Sequence, residues 1–219
     1  MWQTRMDALA FLKDEHPEQL AVIEKTFELF DACIDAYEAS PSEDVYSRVC
    51  AVALIKAKNL GHGAYSLILD GFGQEAGALV RPMIEYVELL TYFRLFPEMS
   101  ERAVENKLPK AGVRAKAIES IYQDFREHLN REASHSSFSK YSISHIFGDA
   151  ASSLRKSQAM VPQVLEKNLL DLAVQLILLL REAVLSLGRT KSPDLVAVAE
   201  QCDCLTSNLF DAFGLNAGK

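Results

Sequence analysis

The chain has 219 residues, 49% of them apolar and 24% charged, which excludes an intrinsically disordered polymer. Its 23 Lys+Arg stand against 30 Asp+Glu, and a formal charge of −7 excludes a uniformly basic nucleic-acid coat. Only 10 Gly and 7 Pro argue against a loop-rich or all-β fold.

The first 42 residues read as acidic helices. From Pro17 to Ala39, Leu20, Ile23, Phe27, Phe30, Ile34 and Tyr37 recur at threes and fours, with Glu24, Glu28, Asp31 and Asp35 between them. Pro17 suits the first turn. Ser40-Pro41-Ser42-Glu43 breaks the pattern and supplies a cap. A second helix is predicted from Asp44 to Asp70. Gly61 and Gly63 lie inside it and predict close packing or a local distortion, because two glycines cost a helix about 2 kcal/mol. Gly71-Phe72-Gly73 forms a turn. A third helix runs from Gln74 to Phe96, and Pro82 within it predicts a kink.

Glu98 to Asn106 reads as a short helix, and Ala111 to Arg131 as one amphipathic helix. Ser134 to Ser144 is Ser-rich and reads as a loop, and Ser144 to Ser157 as a further short helix. Val161 to Gly188 is the longest apolar helix, with Gly188 as its C′ residue. Pro193 starts a last helix that reaches Phe213. The fold class is therefore all-α, a bundle of six to eight helices. It divides into an acidic segment (1–42), a core (43–189) and a C-terminal helix with its tail (190–219), all within one domain.

The stretch Leu169–Leu187 is interrupted by Asp171, Gln175, Arg181 and Glu182, so it reads as a buried helix and no membrane partner is expected. Arg5, Asp7, Lys13, Asp14 and Glu15 interrupt any signal-peptide core, and a cytoplasmic location is expected. Four scattered cysteines do not make a disulfide framework. Close metal-ligand spacings are lacking, so no metal and no cofactor are expected.

Two groups of residues carry chemistry. Arg81 and Glu85 are four apart on an apolar helix and share a face. They read either as a register-locking ion pair or as an Arg held toward a cleft to bind an anion. Arg126, His128, Asn130, Arg131 and His135 gather where a helix ends. They read either as solvated polar residues favoured by the helix dipole or as an acid–base and phosphate-binding set. Lys140 and His145, with four residues between them, offer a second anion contact.

Leu79-Val-Arg81-Pro82-Met-Ile-Glu85 resembles the L-[LV]-R-[SP]-x-x-E signature of a bacterial family of unknown function with a HEPN-like helical bundle. Leu129-Asn130 followed by His135-Ser136 resembles that family's second signature, with Asn130 at its usual Ser position. The resemblance spans Ala57 to Phe138. It implies a HEPN-like core and a homodimer. It also implies metal-independent RNA cleavage as one activity: His135 shuttles the proton, Arg131 or Arg126 stabilises the transition state, and Asn130 orients the phosphate.

Three functional readings follow. The first is a non-catalytic binding module with a protein partner, tied to defence or toxin–antitoxin-like systems. The second is a HEPN-type ribonuclease acting on RNA. The third is a phosphate- or nucleotide-binding module around Arg81. The charge distribution bears on all three. Residues 1–50 hold 4 Lys+Arg and 11 Asp+Glu, whereas residues 102–167 hold 11 and 7. The acidity thus belongs to the first helices, and the window with the Arg/His group is locally basic.

Overall fold

The computed structural model describes residues 2–41, 44–132, 160–190 and 192–215. Among these residues there are nine helices and no strand. They are α1 (Trp2–Glu15), α2 (Pro17–Glu38), α3 (Val45–Leu69), α4 (Gly73–Leu95), α5 (Met99–Val104), α6 (Ala111–Ala117), α7 (Gln123–Glu132), α8 (Pro162–Leu187) and α9 (Leu195–Ala212). No helix of the described residues is long and apolar enough to cross a membrane.

The apolar repeats fix which faces turn inward. Phe30 and Tyr37 of α2, Leu54 of α3, Met83 and Leu90 of α4, and Leu172 and Leu176 of α8 are all fully buried in one apolar cluster. Leu12 of α1 and Leu205 and Leu209 of α9 belong to the same cluster. α8 is 26 residues long, roughly 39 Å, and forms the central rod against which α2, α3, α4 and α9 pack.

Two tyrosine hydroxyls inside this core find carbonyl partners. The Tyr37 hydroxyl donates to the Ala183 carbonyl at 2.7 Å, and Tyr46 donates to the Ser186 carbonyl at 3.0 Å. Arg94 makes a two-pronged bond to Glu182, with Nε–Oε1 at 2.6 Å and Nη2–Oε2 at 3.2 Å, and ties α4 to α8. Arg5 grips Asp70 in the same way, at 2.9 and 2.6 Å, and ties α1 to the end of α3.

The glycines of α3 allow close approach. A Cβ on Gly61 would stand 2.8 Å from a methyl of Leu176 and 3.3 Å from the Phe27 ring; one on Gly63 would stand 3.0 Å from Leu79. α3 therefore packs closely here and continues as a helix. Asp44 caps it, its carboxylate accepting from the Ser47 N–H. α4 continues through Pro82, whose missing N–H leaves the Ala78 carbonyl without its helical donor. α8 ends at Gly188 with φ −60°, a right-handed cap that makes no use of glycine's left-handed freedom.

One predicted helix is two. The segment 111–131 breaks between α6 and α7, where Glu119 takes φ +50°. The Ser120 hydroxyl turns to a side chain of α4 and also accepts from the Tyr122 N–H. Those bonds hold the break, and amphipathic spacing alone does not reveal it. The expected loop at Ser134–Ser144 and helix at Ser144–Ser157 lie outside the described residues.

Candidate functional site

α4 turns different residues to three surroundings. Met83, Val87 and Leu90 face the core. Val80 and Ile84 meet Leu129 of α7, with Tyr122 packed against them. Arg81, Glu85 and Glu88 lie one helical turn apart along a strip between, since i, i+4 and i+7 share a face.

The sequence-predicted pair is formed: Arg81 Nη2 lies 3.0 Å from Glu85 Oε1. The next member of the strip is Glu88. Glu88 is only 2% exposed, and a buried carboxylate needs partners. Ser120 donates its hydroxyl to Glu88 Oε1. Arg126 of α7 brings Nη1 to 3.2 Å from Glu88 Oε2, a close charge contact that is not aligned as a hydrogen bond. Leu129 sits on Val80 and Ile84 while Arg126 sits on Glu88, so α7 runs antiparallel to α4.

A third arginine joins from α6. Arg114 donates from Nη1 to the Pro109 carbonyl at 2.6 Å. Burial pulls its guanidinium down from the ordinary arginine range, while Glu85, Glu88 and Tyr92 push it back up and Arg126 pulls it further down. Arg114 therefore feels both carboxylates of the strip and the second arginine. Burial, followed by the charges of Glu182 and Glu88, pushes the Tyr122 hydroxyl up.

Two guanidiniums, Arg81 and Arg126, thus contact Glu85 and Glu88, and Arg114 feels the charge of both carboxylates. The Nε groups of Arg81, Arg114 and Arg126 are buried, and none has a hydrogen-bond partner among the described residues. A guanidinium is a fork of donors with no acceptor, and an oxyanion is the complementary partner.

Of the sequence-predicted residues, Arg81, Glu85 and Arg126 are brought together here. Asn130 and Arg131 continue the backbone of α7 toward the Arg81 end of the strip, but their side chains lie outside the described set. His135, Lys140 and His145 also lie outside the described residues.

No protein-family model matches the chain, and neither a curated protein nor a solved structure is significantly similar to it.

Other histidines have structural surroundings. His62 stacks on Phe27 with centroids 3.8 Å apart, and burial, followed by the Lys58 charge, lowers its pKa. His16 lies 3.0 Å from Glu166 and beside Phe11. No cluster of metal-ligating side chains exists among the described residues.

Arg114, Ser120 and Glu88 are the site residues that the sequence did not point to. Glu88 carries a legible signal: a carboxylate within the apolar run Val87-Glu88-Leu89-Leu90, seven residues after Arg81. Arg114 has none, because its place depends on the break after α6.

Proposed function

We propose that this helical bundle is a phosphate- or nucleotide-binding module whose anion site is the α4–α6–α7 arginine cluster around Arg81. One observation carries the reading. Arg81 of α4 and Arg126 of α7 contact Glu85 and Glu88, Arg114 of α6 feels both charges, and all three leave a buried Nε donor over. Buried donors without partners are costly, and a bound oxyanion removes that cost. Titration of the full chain with inorganic phosphate, pyrophosphate and AMP, followed by calorimetry, tests it. Saturable binding is expected, weakened about tenfold by Arg81→Gln or Arg126→Gln, each loss being on the order of one charge-assisted hydrogen bond. Identical heats for wild type and both variants sink the reading.

A HEPN-like bundle that cleaves RNA without metal is a second reading of the same place. It is favoured by the position of Arg126 on the α4 strip, on the helix that leads toward His135. In that reaction the ribose 2′-oxygen attacks the adjacent phosphorus, and the 5′-oxygen leaves with a proton. His135 moves the protons and an arginine of the cluster holds the phosphoryl oxygens. In both readings Arg126 shares its charge with buried Glu88. Incubation with single-stranded RNA in EDTA decides: the same RNA profile from wild type and His135→Ala removes the nuclease. The binding-module reading, with a homodimer or a defence-related protein partner, does not draw on this cluster. Its test is concentration-dependent mass by sedimentation.

A further inference from the structure

A second site lies on another side of α4. Tyr86 and Leu89 are rotated about a quarter to a half turn from the Arg81–Glu88 strip, away from the anion site. Together with Val49 and Val52 of α3, buried Phe93 and the α5 residue Val104, they line a groove of about 410 Å³. That volume lies in the range of small-ligand sites, about 300–1,000 Å³. The groove is apolar, yet it is open: Val52 is 53% exposed and Val104 68%. Apolar surface left open in this way marks a contact site.

The charges at the groove all have one sign. Among the described residues its only charged lining residues are Arg48 and Lys56, and no carboxylate lines it. Arg48 is already engaged within the chain. Lys56 and Tyr86 also line an adjoining depression with Asn59, Leu60 and Leu79, so they stand where the two hollows meet. Lys56 brings an ammonium and Tyr86 a phenol hydroxyl to that junction, both donors that suit an anion. A single head-group site at the junction, with apolar walls beyond it, calls for one anionic head and one tail.

We infer that the α3–α4–α5 groove binds a free single-chain amphipathic carboxylate. The head lies against Lys56 and Tyr86, and the tail lies along Val52, Leu89 and Val104.

Competition with the fluorescent probe anilinonaphthalene sulfonate, using the full chain, tests this. Decanoate should displace the probe saturably below its micelle concentration. Decanol and decyltrimethylammonium should be at least tenfold weaker. Octanoate should be about tenfold weaker than decanoate, as loss of two buried methylenes requires. Lys56→Glu and Val104→Glu change exposed side chains, so they should keep the fold while each lowers decanoate affinity about tenfold or more. Arg126→Gln should leave decanoate binding unchanged. Equal binding of decanoate, decanol and the ammonium overturns the proposal, as does indifference to both groove variants. Binding to phosphatidylglycerol vesicles without decanoate binding overturns it in favour of a membrane surface. A concentration-dependent dimer that Val104→Glu abolishes, again without decanoate binding, overturns it in favour of a second copy.

Discussion

The four-helix centre and the α6–α7 arm are held by different forces. In the centre, α2, α3, α4 and α8 are long, and their contacts are rows of apolar side chains such as Phe30, Leu54, Leu90 and Leu176. The arm consists of helices of 7 and 10 residues, too short to be stable alone. Its apolar footing is small, with Ala115 and Leu129 its only buried hydrophobics among the described residues. It is held instead by Arg126 and Ser120 on Glu88. An apolar interface is indifferent to solutes, whereas a polar latch built of donors and carboxylates competes with any anion that enters. That contrast is why a small inorganic anion is expected to act at the arm.

The contrast breaks if the centre tolerates truncation. Phe30→Ala, at a fully buried site, is expected to cost about 4 kcal/mol and lower the urea midpoint. The same core makes a pH prediction. Burial pushes both the Cys33 and the Cys50 thiols up to about 12 from 9.0. A thiol with a raised folded-state pKa keeps its protons longer in the native state than in the unfolded chain. Its contribution is complete below pH 9 and is lost as pH rises from about 9 toward 12, so urea midpoints should fall over that interval. At neutral pH a disulfide-exchange reagent should react quickly only with exposed Cys204 among the four cysteines.

Glu88→Ala is expected to have the next largest effect, about 2–3 kcal/mol, because it leaves Arg126 largely buried without a counter-charge. The distinguishing readout is where the loss falls. Amide exchange should accelerate across α6 and α7, while α8 keeps its protection. Uniform acceleration through α8 would show that the arm and centre form one cooperative unit, and the comparison would fail.

Much of the centre is legible in the sequence because a long amphipathic helix repeats its signal many times. α2, α3, α4, α8 and α9 are found within two residues of their predicted ends. The Gly61 and Gly63 packing is legible for the same reason: small residues inside a strong helical pattern mark a close neighbour. The arm is not legible. Seven- and ten-residue helices offer one or two periods, and residues 111–131 read as a single helix. The break depends on Ser120 reaching Glu88, 32 residues back, which no local pattern encodes. The Arg81–Glu85 pair is local, so helical spacing reveals it. Its partners Arg114 and Arg126 arrive through tertiary packing, so spacing alone cannot assign them to one site.

The smallest expected effect sharpens the contrast most simply. Lys58 pairs with Asp31 across α3 and α2, but Asp31 is 59% exposed, so water and salt screen the pair. Lys58→Ala should change stability by less than about 0.5 kcal/mol, and the change should shrink further in high salt. The Arg126–Glu88 contact is 3.2 Å long, no better in distance or alignment than an ordinary surface pair. If burial is what gives it force, Glu88→Ala must exceed Lys58→Ala several-fold at the same ionic strength. Equal effects would mean that the arm is held by its few apolar contacts, and that Glu88 is a passenger in a site organised by Leu129 and Tyr122.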